Sequence, residues 1–250
     1  MSKLDFTKGF ADQMHSSWHQ KMQPIIESPE VYEIFQFLKS ESKRGKKITP
    51  KSEDIFKSFQ VDLSKLKIVM MGLDSYPQFF FNKPAANGIA FDCRNYGRVS
   101  PSLQKLYEAW LDDCYKGREE EIESLVNWNN LSLDYLVQQG VMLTNAGLCT
   151  EKDKPGKYIE LWRPFWKLVY ENVFATEAGL IFIYLGREAQ KLREFNIPFS
   201  HHILNAEHPA AASYQEREMK HENVFSKANL ILKNNNGEQA QIEWLDIELF

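Results

Sequence analysis

Apolar positions along this chain follow two alternating patterns. Over residues 11 to 41 they recur at helical spacing, as in Ile25, Val31, Ile34, Phe35 and Leu38, and the basic Lys43 to Lys47 stretch after them reads as an exposed loop. Four short apolar, β-branched runs then appear: Ile68 to Met71, Val141 to Thr144, Leu180 to Leu185 and His202 to Ala206. Helical patterns separate or follow them, around Ser102 to Lys116, Trp162 to Phe174, Glu188 to Phe195 and Glu222 to Leu232. Continuous apolar strands alternating with helices predict an α/β fold: a central, mainly parallel four-stranded sheet with helices on both faces. A helical region over about residues 1–60 precedes the sheet.

Length and composition narrow this picture. The 250 residues contain no Gly/Ser-rich or Pro-rich linker, low-complexity tract or fixed-period repeat, so a single domain over residues 1–250 is expected. No apolar run approaches the roughly 18 residues of a membrane span, and Met1 to Phe10 carries charges where a secretory signal needs apolar residues. A soluble, intracellular monomer is expected. Cys93, Cys114 and Cys149 are odd in number and widely spaced, a pattern that indicates neither a disulfide framework nor a zinc site. The net charge of −4 argues against a uniformly basic nucleic-acid binder, yet a small domain can gather its cations on one face.

In parallel sheets ligands sit beyond the carboxyl ends of the strands, and there this chain is unusually polar. The first run leads into Gly72-Leu73-Asp74-Ser75-Tyr76-Pro77, the second into Asn145-Ala146-Gly147 and the fourth into Glu207-His208-Pro209. Singly, Asp74 reads as a turn former, Asn145 as a loop closer and His208 as a satisfied structural histidine. Jointly, they bring a carboxylate, a carboxamide and an imidazole to one edge of the sheet.

These segments resemble family 1 uracil-DNA glycosylases. The likeness runs in order from Ile68–Pro77 through Gly88-Ile89-Ala90-Phe91, Ser100-Pro101-Ser102-Leu103, Gly140–Asn145 and His208-Pro209. It extends to flanking positions such as Trp18-His19, Ile48-Thr49-Pro50 and Ile242-Glu243-Trp244, and so covers nearly the whole chain. The resemblance implies hydrolysis of uracil from DNA without metal or cofactor. Breaking that bond leaves positive charge on the sugar and negative charge on the base, and a catalyst must stabilise both. By resemblance Asp74 orients the water and faces the sugar cation, while His208 donates to uracil O2. Asn145 donates to O4 and accepts from N3–H, a pattern that cytosine does not match. Phe91 stacks on the extruded base, Tyr76 refuses the thymine methyl group, and the backbone at Leu73 meets the base. Ser102 and Ser213 match phosphate-gripping positions, and Ala210 and Ala212 belong to the DNA-probing loop. Phe91 also reads as a core residue, and Ser102 and Ser213 as helix caps.

Three departures stand out. The family's Gln-Asp-Pro-Tyr-His is here Leu73-Asp74-Ser75-Tyr76-Pro77, and members from poxviruses resemble this chain in the Pro after Tyr and in an Ala-Ala pair after His-Pro. Where cellular members carry a Leu wedge, this chain has Ala212, which predicts a bias toward single-stranded DNA because extrusion from a duplex costs a few kcal/mol. Phe79-Phe80-Phe81 fits no strand alternation; it reads either as a buried plug or as an exposed surface that stacks on bases or binds a partner. Two further readings stay open: a glycosylase for a modified pyrimidine of phage DNA, which Tyr76 opposes, and a DNA-binding module that recruits a replication protein. An inhibitor protein is a further partner consistent with the resemblance.

Overall fold

The four apolar runs form β1 (Ile68–Asp74), β2 (Val141–Gly147), β3 (Ile181–Leu185) and β4 (His202–Ala206), parallel throughout and ordered β2-β1-β3-β4. The computed structural model describes residues 9–196 and 201–247; residues 1–8, part of the N-terminal reading above, lie outside the described residues. Strand residues alternate between two cores. Val69, Met71, Met142, Phe182 and Tyr184 face one core, where α1 (His19–Ile26), α2 (Pro29–Lys43) and α4 (Ile159–Asn172) pack. Ile68, Met70, Val141, Leu143, Ile181 and Ile183 face the other, with α3 (Pro101–Cys114), α5 (Pro209–Tyr214) and α6 (Val224–Asn236). Burial on both faces is why β1, β2 and β3 begin as continuous apolar runs, whereas β4 at the sheet edge is half-buried to exposed over most of its length.

Local signals account for the helix boundaries. Ser28 and Ser100 accept from the N–H groups of Val31 and Leu103, and each is followed by proline at the first helical position. The start of α6 lacks a cap of its own. Asp113 of α3 reaches across instead and accepts from the N–H groups of Phe225 and Ser226.

The structure departs from the sequence reading at two places that matter for the site. The β1–β2 ladder continues past Met71 and Thr144, pairing Gly72 with Asn145 and Asp74 with Gly147, so Asp74 and Asn145 lie in strands rather than after them. The expected probing loop after His208 is the helix α5. Proline at its first position and three alanines favour helix there, and His208 caps it by accepting from Ala210 N–H. Among the described residues no helix is long and apolar enough to cross a membrane.

Candidate active site

The carboxyl ends of β1 and β2 open onto a cavity of about 290 Å³. Asp74, Asn145 and His208 all line it, together with Leu73, Tyr76 and Phe91. Ser102, Ala210 and Ser213 border the same space. Residues as far apart in sequence as Leu73 and Ser213 thus share one chamber, at the small end of the roughly 300–1,000 Å³ typical of ligand sites.

Asp74 ends β1 with its carboxylate largely removed from water. Burial pushes its pKa up to about 6, opposed chiefly by the hydrogen bond from Gly156 N–H. That leaves the carboxylate with spare lone pairs, and Asp74 lines the cavity. Near neutral pH it is an anion with no cationic side chain among the groups that set its pKa.

Asn145 sits opposite Gly72 on the paired strand and is buried, yet its carboxamide makes no hydrogen bond to any described side chain or backbone group. Gly72 makes the space for it. A Cβ at position 72 would stand 2.6 Å from Asn145 Oδ1 and 2.9 Å from Phe91 Cζ. The Phe91 ring therefore packs on bare strand backbone. Its own backbone is in the left-handed region, at φ +65°, which is costly for a bulky residue. The neighbouring Asp92 holds that conformation: its buried carboxylate accepts from Asn87 Nδ2, from Arg94 N–H and Nε–H, and from Leu133 N–H. Ala90 N–H adds a tie to Leu143 O of β2. Phe91 is thus both a core residue and a cavity wall.

His208 stands over the far side, its ring centroid 5.9 Å from that of Phe91. Burial pushes its pKa down to about 4, so the imidazole is neutral at pH 7. Nδ1 accepts from Ala210 N–H at 3.2 Å, which places the single proton on Nε2. Gly186 permits this approach, because at φ +86° its absent Cβ would lie 2.7 Å from His208 Cβ.

The altered turn after Asp74 is held by side chains. Ser75, where the family has proline, is buried and donates to Leu148 O, while Thr49 donates to Tyr76 O. The Tyr76 hydroxyl lies 2.6 Å from Ser100 Oγ and 3.2 Å from Phe91 O, which fixes the ring against the cavity. Burial keeps this phenol neutral by raising its pKa far above the ordinary value.

The sequence reading of the rim needs three corrections. Ala212 is fully buried in the core beneath α5 and does not reach the surface, because the helix turns that position inward. Tyr214, two residues on, is 86% exposed and borders the cavity instead. The cap of α3 is Ser100, which leaves Ser102 without a capping duty. The three phenylalanines are divided: Phe79 and Phe80 pair with Pro84 and Lys83 in a small hairpin, and Phe81 stands fully exposed at its tip. Sequence reasoning also missed Tyr96, which packs edge-on to both Tyr76 and Phe80, and assigned no role to Gly72 or Asp92. Only their surroundings in three dimensions disclose them.

No family model matches the chain. It is 29% identical to a uracil-DNA glycosylase of Aliivibrio salmonicida over 239 residues, 94% of this chain and all of the relative. Among solved structures, the mimivirus uracil-DNA glycosylase superposes with a TM-score of 0.76 at 22% identity, covering 94% of this chain and 88% of that one. A mimivirus UNG variant solved in complex with UGI gives the same TM-score at 21% identity, covering 92% and 89%.

Two variants test this geometry. Gly72→Ala should fold, since both close contacts are side-chain atoms, but with a loss of about 1–3 kcal/mol and with Asn145 and Phe91 displaced. Thermal unfolding and a crystal structure would check it. Asp74 titrates near 6 when folded and near 3.9 when unfolded, so its contribution to stability is full below about pH 4 and is lost as pH rises through 6. Asp74→Asn should therefore unfold at a higher temperature than the parent at pH 8, by up to about 3 kcal/mol, with the gap closing toward pH 4. A melting series across pH that shows no such convergence would contradict the buried charge.

Proposed function

We infer that this chain, a divergent member of the uracil-DNA glycosylase family, hydrolyses the bond between uracil and deoxyribose in DNA and leaves an abasic site. The observation that carries this reading is the convergence of Asp74, Asn145 and His208 on one cavity of nucleobase scale, each with hydrogen-bonding capacity left over.

The chemistry follows from those spare groups. An extruded uracil enters between Phe91 and Tyr76 and stacks on Phe91. The Asn145 carboxamide, which lacks a protein partner among the described residues, pairs with O4 and N3–H. As the glycosidic bond lengthens, electrons move onto the base and Nε2–H of neutral His208 donates to O2. The sugar cation meets anionic Asp74, which also orients the water that attacks C1′. The water oxygen bonds to C1′ as the bond to the base breaks, uracil departs as an anion with the bonding electrons, and the water's proton passes to the Asp74 carboxylate. None of these steps calls on a metal or cofactor. Tyr76, fixed by Ser100 and Phe91 O, crowds the C5 position and opposes thymine or any C5-substituted base. Ser102 and Ser213 border the cavity, which supports reading them as contacts for backbone phosphates. With Ala212 buried, no wedge stands at the usual position, which supports a preference for single-stranded DNA. The mimivirus neighbour's complex makes UGI a probe for an inhibitor site on this chain.

Oligonucleotides carrying one uracil, thymine or C5-modified cytosine, single- and double-stranded, test these assignments. Uracil should be released, faster from single strands, and Asp74→Asn should lower the rate roughly 10²–10⁴-fold. Comparable rates on single- and double-stranded substrates would remove the strand preference, and intact uracil DNA would remove the enzymatic reading. The rate should rise with pH through about 6 as Asp74 ionises, with no inflection from His208 at that point.

A further inference from the structure

We propose that the hairpin around Phe79–Pro84, with the lysines beside it, is a second nucleic-acid contact that holds a single DNA strand as it leaves the cavity. The proposal rests on the glycosylase reading and adds to it a track that binds DNA without regard to the target base.

The hairpin is built to display one aromatic side chain. Phe81 and Asn82 form its two-residue turn at φ +48° and +63°, the left-handed pair that a tight hairpin demands. Asparagine suits such a turn, whereas phenylalanine is costly in that conformation. The ring gains no packing in return, since Phe81 is 100% exposed. A strained, fully solvated aromatic at a loop tip is explained by contact with something outside the fold.

Its surroundings identify the occupant. Residues 46–47, 83 and 151–157 carry six lysines against two acids, in a chain whose overall charge is −4. Three of those lysines, Lys47, Lys83 and Lys157, are exposed and have no carboxylate partner among the described residues; Lys47 bonds only to the neutral Asn82 side chain of the hairpin. These segments are tied together, because Lys152 N–H donates to Lys47 O and Asp153 N–H donates to Pro77 O. They also adjoin the cavity, whose wall includes Pro77, Gln78 and Pro155. A chain of rings runs the same way, from Tyr76 to Tyr96 at 5.3 Å and from Tyr96 to Phe80 at 5.1 Å. An aromatic face for a base and unpaired ammonium groups for phosphates, continuous with the nucleobase chamber, match a single strand.

The test compares the parent with Phe81→Ser/Lys83→Ser/Lys157→Ser on uracil oligonucleotides of about four and about sixteen nucleotides. None of the three residues supports the core or lines the cavity. The variant should keep the parent's rate on the short substrate and lose about tenfold in kcat/KM on the long one. Its affinity for a long uracil-free strand, read by fluorescence anisotropy, should fall similarly, with a shallower dependence on salt. Equal behaviour of parent and variant on both lengths and in anisotropy would overturn the track. Anisotropy separates the two ideas: a parent that binds long strands through these residues but releases no uracil would spare the track and sink the glycosylase reading. A circular-dichroism melt checks that the variant folds.

Discussion

The site depends on the absence of a side chain at position 72. A parallel ladder fixes Gly72 beside Asn145 and, two residues on, Asp74 beside Gly147, so both functional groups inherit the rigidity of paired strands. Any Cβ at 72 would enter the volume shared by the Asn145 carboxamide and the Phe91 ring. The strand backbone thereby becomes the floor of the chamber. Phe91 lies on that floor while Asp92, by drawing donors from its own loop and from Leu133, holds the preceding residue in a backbone conformation it would not choose.

On this frame the polar groups are left with unused capacity. Asp74 is an anion supported by a backbone amide rather than a counter-cation, His208 is stripped of its charge by burial, and Asn145 lines the cavity without a hydrogen-bond partner among the described residues. In a folded interior such groups are normally satisfied, because an unmade hydrogen bond away from water costs about 1–3 kcal/mol. Their concentration around one space is a preorganised field that awaits a solute with complementary charge. Proton positions follow from the same geometry: one backbone N–H, from Ala210, decides which nitrogen of His208 can donate.

Much of this was legible along the chain. Strand runs with β-branched character fell where the sheet lies, and the carboxylate, amide and imidazole fell at its carboxyl edge, because periodicity and strand ends are local properties. What depends on tertiary packing was not legible. Ala212 reads as a surface residue of a loop until His208 and Pro209 are seen to start a helix that turns it inward. Ser102 reads as a cap because it follows Pro101, and the fold gives that role to Ser100, which it also pairs with Tyr76. Phe79, Phe80 and Phe81 look alike in sequence, yet a two-residue turn sends them to different environments.

The hairpin also has an architectural consequence. Its base closes where Ala85 N–H meets Gln78 O, only side chains such as Lys47 on Asn82 and Tyr96 on Phe80 tie its strands and tip to the body, and neither of its short strands extends the central sheet. Lengthening, trimming or resequencing the tip leaves the β1–β2 ladder and the Asp92 clasp untouched. Variation among descendants of this chain can therefore accumulate there at little risk to the fold, like an exchangeable tool on a fixed handle.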